Sequence, residues 1–206
     1  MELPPEDADV PSRLARWRED AERIDVALYA AIAQTPTPAL DRLLAQVSHA
    51  ADYSRPWVAS ATILAVVGGE RGRSAATAGL ASVGVAAALV NLGMKPLGRR
   101  RRPDRVVERV PVARHTRMPA STSFPSGHSA TAFAFATGVG HVLPSTAIPL
   151  RGLAAVVAYS RVHTGVHYPG DVVAGSLIGT MLAQLTVRAL DRRTTRLHRN
   201  AHRARI

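Results

Sequence analysis

Formal charge is absent from long stretches of this chain and crowded into short ones, and that alternation predicts its elements. From Ser74 to Met94 there are 21 residues without a charge, enough for a helix to cross a bilayer, which takes about 20 residues. Between Ser129 and Val187 the only charged residues are Arg151, Arg161 and Asp171. Apolar runs cover 56–69, 74–94, 129–143, 147–166 and 172–188. The segment Gly68-Gly69-Glu70-Arg71-Gly72-Arg73 reads as the turn between the first two runs, and Leu143-Pro144 closes the third. Pro169 opens the last, where a missing amide proton costs little. Residues 95–128 form a long polar loop. Small residues inside the runs, Gly175-x3-Gly179 among them, let helix backbones approach closely.

Upstream the pattern changes to amphipathic. Ile24, Leu28 and Ile32 recur at helical spacing within a helix predicted over 13–33. Thr35-Pro36-Thr37-Pro38 ends it, and a second helix over 39–51 places Leu40, Leu43, Leu44 and Val47 on one face. Both are too short and polar to span alone, so they lie at the interface or pack against the bundle. The predicted fold is all-α: a membrane-embedded helical bundle with about five spanning helices and amphipathic N-terminal helices. Its divisions are a disordered acidic N-terminus (1–12), amphipathic helices (13–54), the membrane-embedded domain (55–190) and a basic C-terminal tail (191–206). Buried core helices of a soluble protein are the alternative reading of the shorter runs.

Composition adjusts this picture in three ways. The chain has 206 residues, 26 Lys+Arg and 15 Asp+Glu, for a net charge of +11. Eight of the acidic residues lie in the first 25 positions, nine Lys/Arg lie between Lys95 and Arg117, and seven arginines follow Val187. These basic runs flank apolar spans and carry no interleaved aromatics to stack bases, which excludes nucleic acid as the expected partner and favours anionic headgroups. There is no cysteine, hence no disulfide framework, thiol nucleophile or thiolate metal site. The first residues lack the basic-then-apolar order of a secretory signal.

Chemistry is confined to three clusters spread over 77 residues: Lys95-x6-Arg102-Pro103, Pro125-Ser126-Gly127-His128 and Ser160-Arg161-x5-His167-x3-Asp171. Arg102 and Arg161 offer planar bidentate forks for a phosphoryl group, and Lys95, the only lysine, offers a compact point charge. Ser126 and Gly127 precede a helix starting near His128, so hydroxyl and amides can meet a phosphate at a helix N-terminus. His167 and Asp171 are four residues apart, which lets the carboxylate accept from one ring nitrogen and frees the other for attack. Any one cluster alone is a weak signal: a turn, a cap or a helix-end pair. Counting crossings strengthens them jointly, because alternating spans bring Lys95, His128, Arg161 and His167 to a single membrane face.

In order and spacing these clusters resemble the signature of the type-2 phosphatidic acid phosphatase (lipid phosphate phosphatase) superfamily, over about residues 55–190. Every residue of that signature is present. The resemblance implies metal-independent hydrolysis, without a cofactor, through a phosphohistidine intermediate. By motif position His167 is the nucleophile, Asp171 orients it, and His128 is the general acid and then the base that activates water. Lys95, Arg102 and Arg161 bind the phosphoryl oxygens, assisted by Ser126, the Gly127 amide and Ser160.

The remaining candidates are placed as follows. His163 takes a structural role, His115 belongs to the loop, and His49, His141, His198 and His202 sit at the surface or boundary. Arg99, Arg100 and Arg101 read as a solvated flank, with contact to a lipid headgroup as the alternative. The superfamily also includes vanadium haloperoxidases and soluble acid phosphatases, and a membrane protein that binds lipid phosphate without turnover is a further alternative. The expected substrate is a lipid phosphomonoester or pyrophosphate: polyprenyl-linked phosphate, phosphatidic acid or phosphatidylglycerol phosphate. High Arg and Ala usage fits a high-GC bacterium, so the expected location is a bacterial cell membrane, and the resemblance puts the site on the extracytoplasmic face. The sequence carries no indication of oligomeric state.

Overall fold

A computed structural model describes residues 13–203; the acidic segment 1–12 and the last three residues lie outside it. The observed architecture is all-helical: α1 (Arg13–Gln34), α2 (Pro38–Ala50), α3 (Arg55–Val67), α4 (Gly69–Ala88), α5 (Lys95–Leu97), α6 (Gly127–Val142), α7 (Ala147–His163) and α8 (Pro169–Arg203). Prolines mark several starts. Pro38 is the first residue of α2, Pro56 the second of α3, and Pro169 opens α8, since each lacks an N–H that would find no intrahelical acceptor there.

Helix α6 is the centre. Ala130, Ala132, Ala134, Phe135, Ala136 and Val139 are fully buried on it, with α4, α7 and α8 packed around them. Small residues make these contacts possible. A side chain at Gly175 or Gly179 of α8 would run into the backbone carbonyls of Ser126 or Ala130, so glycine sets how closely α8 approaches the start of α6. Trp57 of α3 packs on Phe135 with ring centroids 5.4 Å apart.

Four boundaries differ from the sequence expectation. Helix α4 begins at Gly69, so Glu70–Arg73 belong to its first turns and the turn after α3 shrinks to a Gly68–Gly69 joint. Gly69 takes the positive φ of 58° that this sharp joint needs, and Glu70 faces the positive end of the helix dipole. Helix α7 stops at His163, three residues before its apolar run ends. The polar loop begins after Leu97 rather than at Lys95, because a π-turn over Leu89–Met94 carries α4 into α5. Finally, the basic stretch after residue 190 continues α8 as helix to Arg203.

Among the described residues two helical stretches, Gly69–Leu97 and Pro169–Arg196, are long and apolar enough to cross a membrane. Helices α3, α6 and α7, with 13, 16 and 17 residues, are shorter. Large apolar side chains point outward on α3, α7 and α8, among them Ile63, Val66, Ile148, Val156, Leu177 and Met181. The N-terminal helices are not peripheral. Tyr29 of α1 is buried against Tyr168, and α2 lies against α7.

Candidate active site

Each motif is delivered by a different local device. The π-turn before Lys95 widens the helix by one residue per turn, a feature found frequently at functional sites, and turns Lys95 and Asn91 toward the start of α6. Gly127 begins α6 directly against them: a Cβ there would lie 3.3 Å from Asn91 Oδ1 and 3.4 Å from Lys95 Nζ. Ser126 caps α6, its hydroxyl accepting from the Ser129 amide at 3.4 Å and its own amide donating to the Asp171 carbonyl at 3.0 Å. That last bond ties the second motif to the third.

Lys95, Arg102, Gly127, His128 and His167 line one cavity of about 490 Å³, together with Asp52, Asn91 and Arg117. Arg161 and Asp171 lie behind its wall, 1% and 0% exposed. Arg161 Nη1 donates to Ser48 Oγ at 2.6 Å, while its Nε has no hydrogen-bond partner. Two expected phosphate ligands point elsewhere. The Ser126 hydroxyl is spent on the α6 cap, and Ser160 donates to the Val157 carbonyl at 2.7 Å inside its own helix; neither lines the cavity.

Hydrogen bonding fixes the state of both imidazoles. Arg102 Nη1 lies 3.2 Å from His167 Nε2. A guanidinium only donates, so Nε2 must accept and carries no proton. The proton therefore sits on Nδ1, which faces Asp171 Oδ2 at 3.4 Å. Burial pushes the His167 pKa down to about 4; Asp171 opposes this shift and Arg102 reinforces it. His128 is the mirror case. Its Nε2 faces the Asp52 carboxylate at 3.0 Å, and an ionised carboxylate only accepts, so this Nε2 carries the proton. One ring thus presents a lone pair and the other an N–H.

Asp171 is fully bonded. Oδ2 also accepts from the Tyr168 amide at 3.0 Å and, in a short hydrogen bond, from the Ser123 hydroxyl. Oδ1 accepts from Arg100 Nη1 at 2.9 Å, and Arg100 Nη2 reaches Asp25 of α1 at 2.7 Å. Arg100 is thus no solvated flank: among the described residues it is the one arginine or lysine paired with the buried Asp171 carboxylate, and it is held there by a second carboxylate and by the face of Tyr168, 4.3 Å away. Arg99 and Arg101 on either side are exposed. Arg102 itself is held by the Ser121, Thr122 and Val166 carbonyls at 2.9–3.1 Å.

His163 is buried among structural partners. It faces Asp41 at 3.1 Å, and Asp41 also pairs with the fully buried Arg114 at 2.8 Å. His115 bonds the Val110 carbonyl and His141 pairs with Asp191 at the surface. Among the described residues no group of three or more His, Asp or Glu side chains is placed to hold a metal ion. The sequence reading did not single out Asp52, Asn91, Ser121, Ser123 or Arg117. Asn91 carried a usable signal: it is a polar residue inside an uncharged run, one turn before Lys95 and on its face. Asp52 carried none, because its partner is 76 residues away.

The sequence signature of the PAP2 superfamily matches residues 75–195. The chain belongs to the PAP2 superfamily. Its similarity to one curated member extends beyond the motifs: it is 32% identical over 170 residues to the decaprenylphosphoryl-5-phosphoribose phosphatase of Mycobacterium tuberculosis, covering 81% of this chain and 91% of that one. Two solved structures share its fold. The crystal structure of Aquifex aeolicus LpxE matches with a TM-score of 0.65 at 24% identity, over 80% of this chain and 95% of that chain. That of a transmembrane PAP2-type phosphatidylglycerolphosphate phosphatase from Bacillus subtilis gives 0.63 at 24%, over 84% and 87%.

Proposed function

We propose that this PAP2 protein is an integral membrane phosphatase that hydrolyses a lipid-linked phosphate through a phosphohistidine. One observation carries the reading: His167 Nε2 offers a lone pair to the cavity that His128 enters with an N–H. In the first step Arg102 Nη1 passes from His167 Nε2 to a phosphoryl oxygen, the freed Nε2 lone pair attacks phosphorus, the bond to the leaving oxygen breaks, and His128, protonated on both ring nitrogens, gives its Nε2 proton to that oxygen. In the second, His128 takes a proton from water, the resulting hydroxide oxygen bonds phosphorus, and the P–N bond breaks to restore His167. Lys95, Arg102 and Arg161 neutralise the phosphoryl oxygens, which is where most of the rate of phosphoryl transfer arises. Asp171 steadies the cation that forms on His167.

The site's own residues supply the nucleophile, acid and charge, so no metal enters either step. Similarity to the mycobacterial phosphatase supports a polyprenyl-linked phosphate as substrate. The outward apolar side chains support about five membrane crossings by α3, α4, α6, α7 and α8, with the cavity at the extracytoplasmic face of a bacterial cell membrane. The test is phosphate release by detergent-solubilised protein from polyprenyl-linked phosphates in EDTA, beside His167→Ala. Release that survives chelation and disappears in the variant is expected. Release that requires a divalent ion, or persists in His167→Ala, overturns the mechanism.

A further inference from the structure

The charges around the cavity are distributed unevenly. Lys95 and Arg102 in its wall and Arg161 behind it surround the place of the transferred phosphoryl group. Of the other lining residues, only Arg117 and Asp52 are charged, and their charges cancel. Asp52 is the sole carboxylate in that lining. It accepts from His128 Nε2 at 3.0 Å and lies 4.0 Å from Arg161 Nη1.

Its position is enforced by the backbone. Between α2 and α3 the chain turns through Tyr53 and Ser54 with φ of 57° and 59°, two consecutive non-glycine residues in the left-handed region. Such conformations are costly, persist only where surroundings enforce them, and cluster at functional sites. This corner holds Asp52 beside the general acid.

Resting on the phosphohistidine reading above, we infer that Asp52 is a specificity-determining residue that makes the enzyme a phosphomonoesterase acting on hydroxylated, sugar-like lipid headgroups and disfavours lipid diphosphates. His128 delivers its proton to the leaving oxygen, so the group bonded to His128 in the free enzyme marks the leaving-group side. A diphosphate leaves as a phosphate, and its negative charge would develop against the Asp52 carboxylate. A sugar phosphomonoester leaves as a neutral alcohol, whose neighbouring hydroxyls donate to that carboxylate. Like charges within a few ångströms repel strongly where water is partly excluded, and hydroxyl recognition by a charged acceptor is among the stronger hydrogen bonds. Each contributes about tenfold to the preference, the equivalent of 1.4 kcal/mol.

The experiment compares kcat/KM for two probes, a polyprenylphosphoryl ribose 5-phosphate and farnesyl diphosphate, in wild type, Asp52→Asn and Asp52→Glu. Asparagine keeps an oxygen acceptor for His128 and removes the charge; glutamate keeps the charge. The ratio between probes cancels any loss of folding or proton delivery common to both. Wild type is expected to favour the monoester at least about tenfold, Asp52→Asn to shrink that ratio about tenfold or more, and Asp52→Glu to retain most of it. A wild type that favours the diphosphate, or a ratio unmoved in Asp52→Asn, overturns the inference and leaves the phosphatase reading standing. Folded wild type that releases phosphate from neither probe overturns both.

Discussion

Removing the guanidinium of Arg100 should cripple the site from outside the cavity. Arg100 bridges two carboxylates, Asp171 at 2.9 Å and Asp25 at 2.7 Å, whose side chains are 0% and 12% exposed. Breaking a buried ion pair on one side costs about 3–5 kcal/mol. The figure must be discounted here. Asp171 keeps Ser123, the Tyr168 amide and His167, and Asp25 keeps the Gly170 amide at 2.6 Å. Arg100 is itself 21% exposed, so water can enter where it stood. About 2–3 kcal/mol of stability remains at stake, or roughly 4–12 °C of melting temperature for a chain of this size. The catalytic loss has a separate origin: without Arg100, Asp171 Oδ1 loses its partner, so the carboxylate is held less firmly against His167 Nδ1. A one- to two-decade fall in kcat is expected for Arg100→Ala, with Arg100→Lys intermediate, because one ammonium cannot present two parallel donors to two carboxylates. Thermal melting in detergent and phosphate release read the two effects, and a double-mutant cycle with Asp25→Asn measures the coupling. Arg100→Ala with kcat within about twofold of wild type would show that Asp171 does not depend on this arginine.

Three further outcomes follow from the same geometry. Asp171→Asn should leave the fold intact yet lower kcat by up to about 10⁴, as loss of the orienting carboxylate does in a serine-protease triad; near-normal turnover would remove Asp171 from the mechanism. The lone pair of His167 should persist far into acid, so inactivation by diethyl pyrocarbonate in detergent should fall off with a midpoint near 4 instead of 6.5. Because the folded value lies below the unfolded one, His167 also contributes stability above pH 6.5 that is lost as pH falls from there toward 4, and a midpoint near 6.5 would refute the buried neutral state. Gly175→Ala should cost about 1–3 kcal/mol, because its methyl meets the Ser126 carbonyl. Gly152→Ala on α7, with nothing within 4 Å of the added carbon, should be neutral or stabilising, and equal melting of the two variants would remove the packing argument.

The helices were legible because burying an unpaired charge is expensive, so uncharged runs such as 74–94 have few options but to cross or pack. Their ends were harder to read. The run over 147–166 overshoots α7 because Thr164, Gly165 and Val166 are buried without being helical, held by amide bonds back to Ser160, Arg161 and Val162. Hydropathy registers burial, not backbone conformation. The site showed the same division. Lys95, Arg102, Gly127, His128 and His167 share a short linear signature and do line one cavity. Arg100 stood in an arginine run where composition gives each member the same expectation, and only tertiary placement separates it from Arg99 and Arg101.

What the linear pattern hid most completely is how the N-terminal third participates. Helix α1, helix α2 and the corner after α2 each supply one carboxylate, and each is spent on a residue between 95 and 171. Asp25 holds Arg100 and the Gly170 amide at the start of α8; Asp41 holds Arg114 and His163; Asp52 holds His128. Arg114 returns further bonds to the carbonyls of Ile32, Ala33 and Thr35 at the α1–α2 joint. Apolar faces alone would let these helices slide on the bundle, since dispersion has little direction. Charge-assisted hydrogen bonds at fixed points do not. The N-terminal helices therefore act as a brace that sets the Asp171 carboxylate through Arg100 and the His128 N–H through Asp52, so the same segment of chain helps hold the two imidazoles with opposite ring nitrogens protonated.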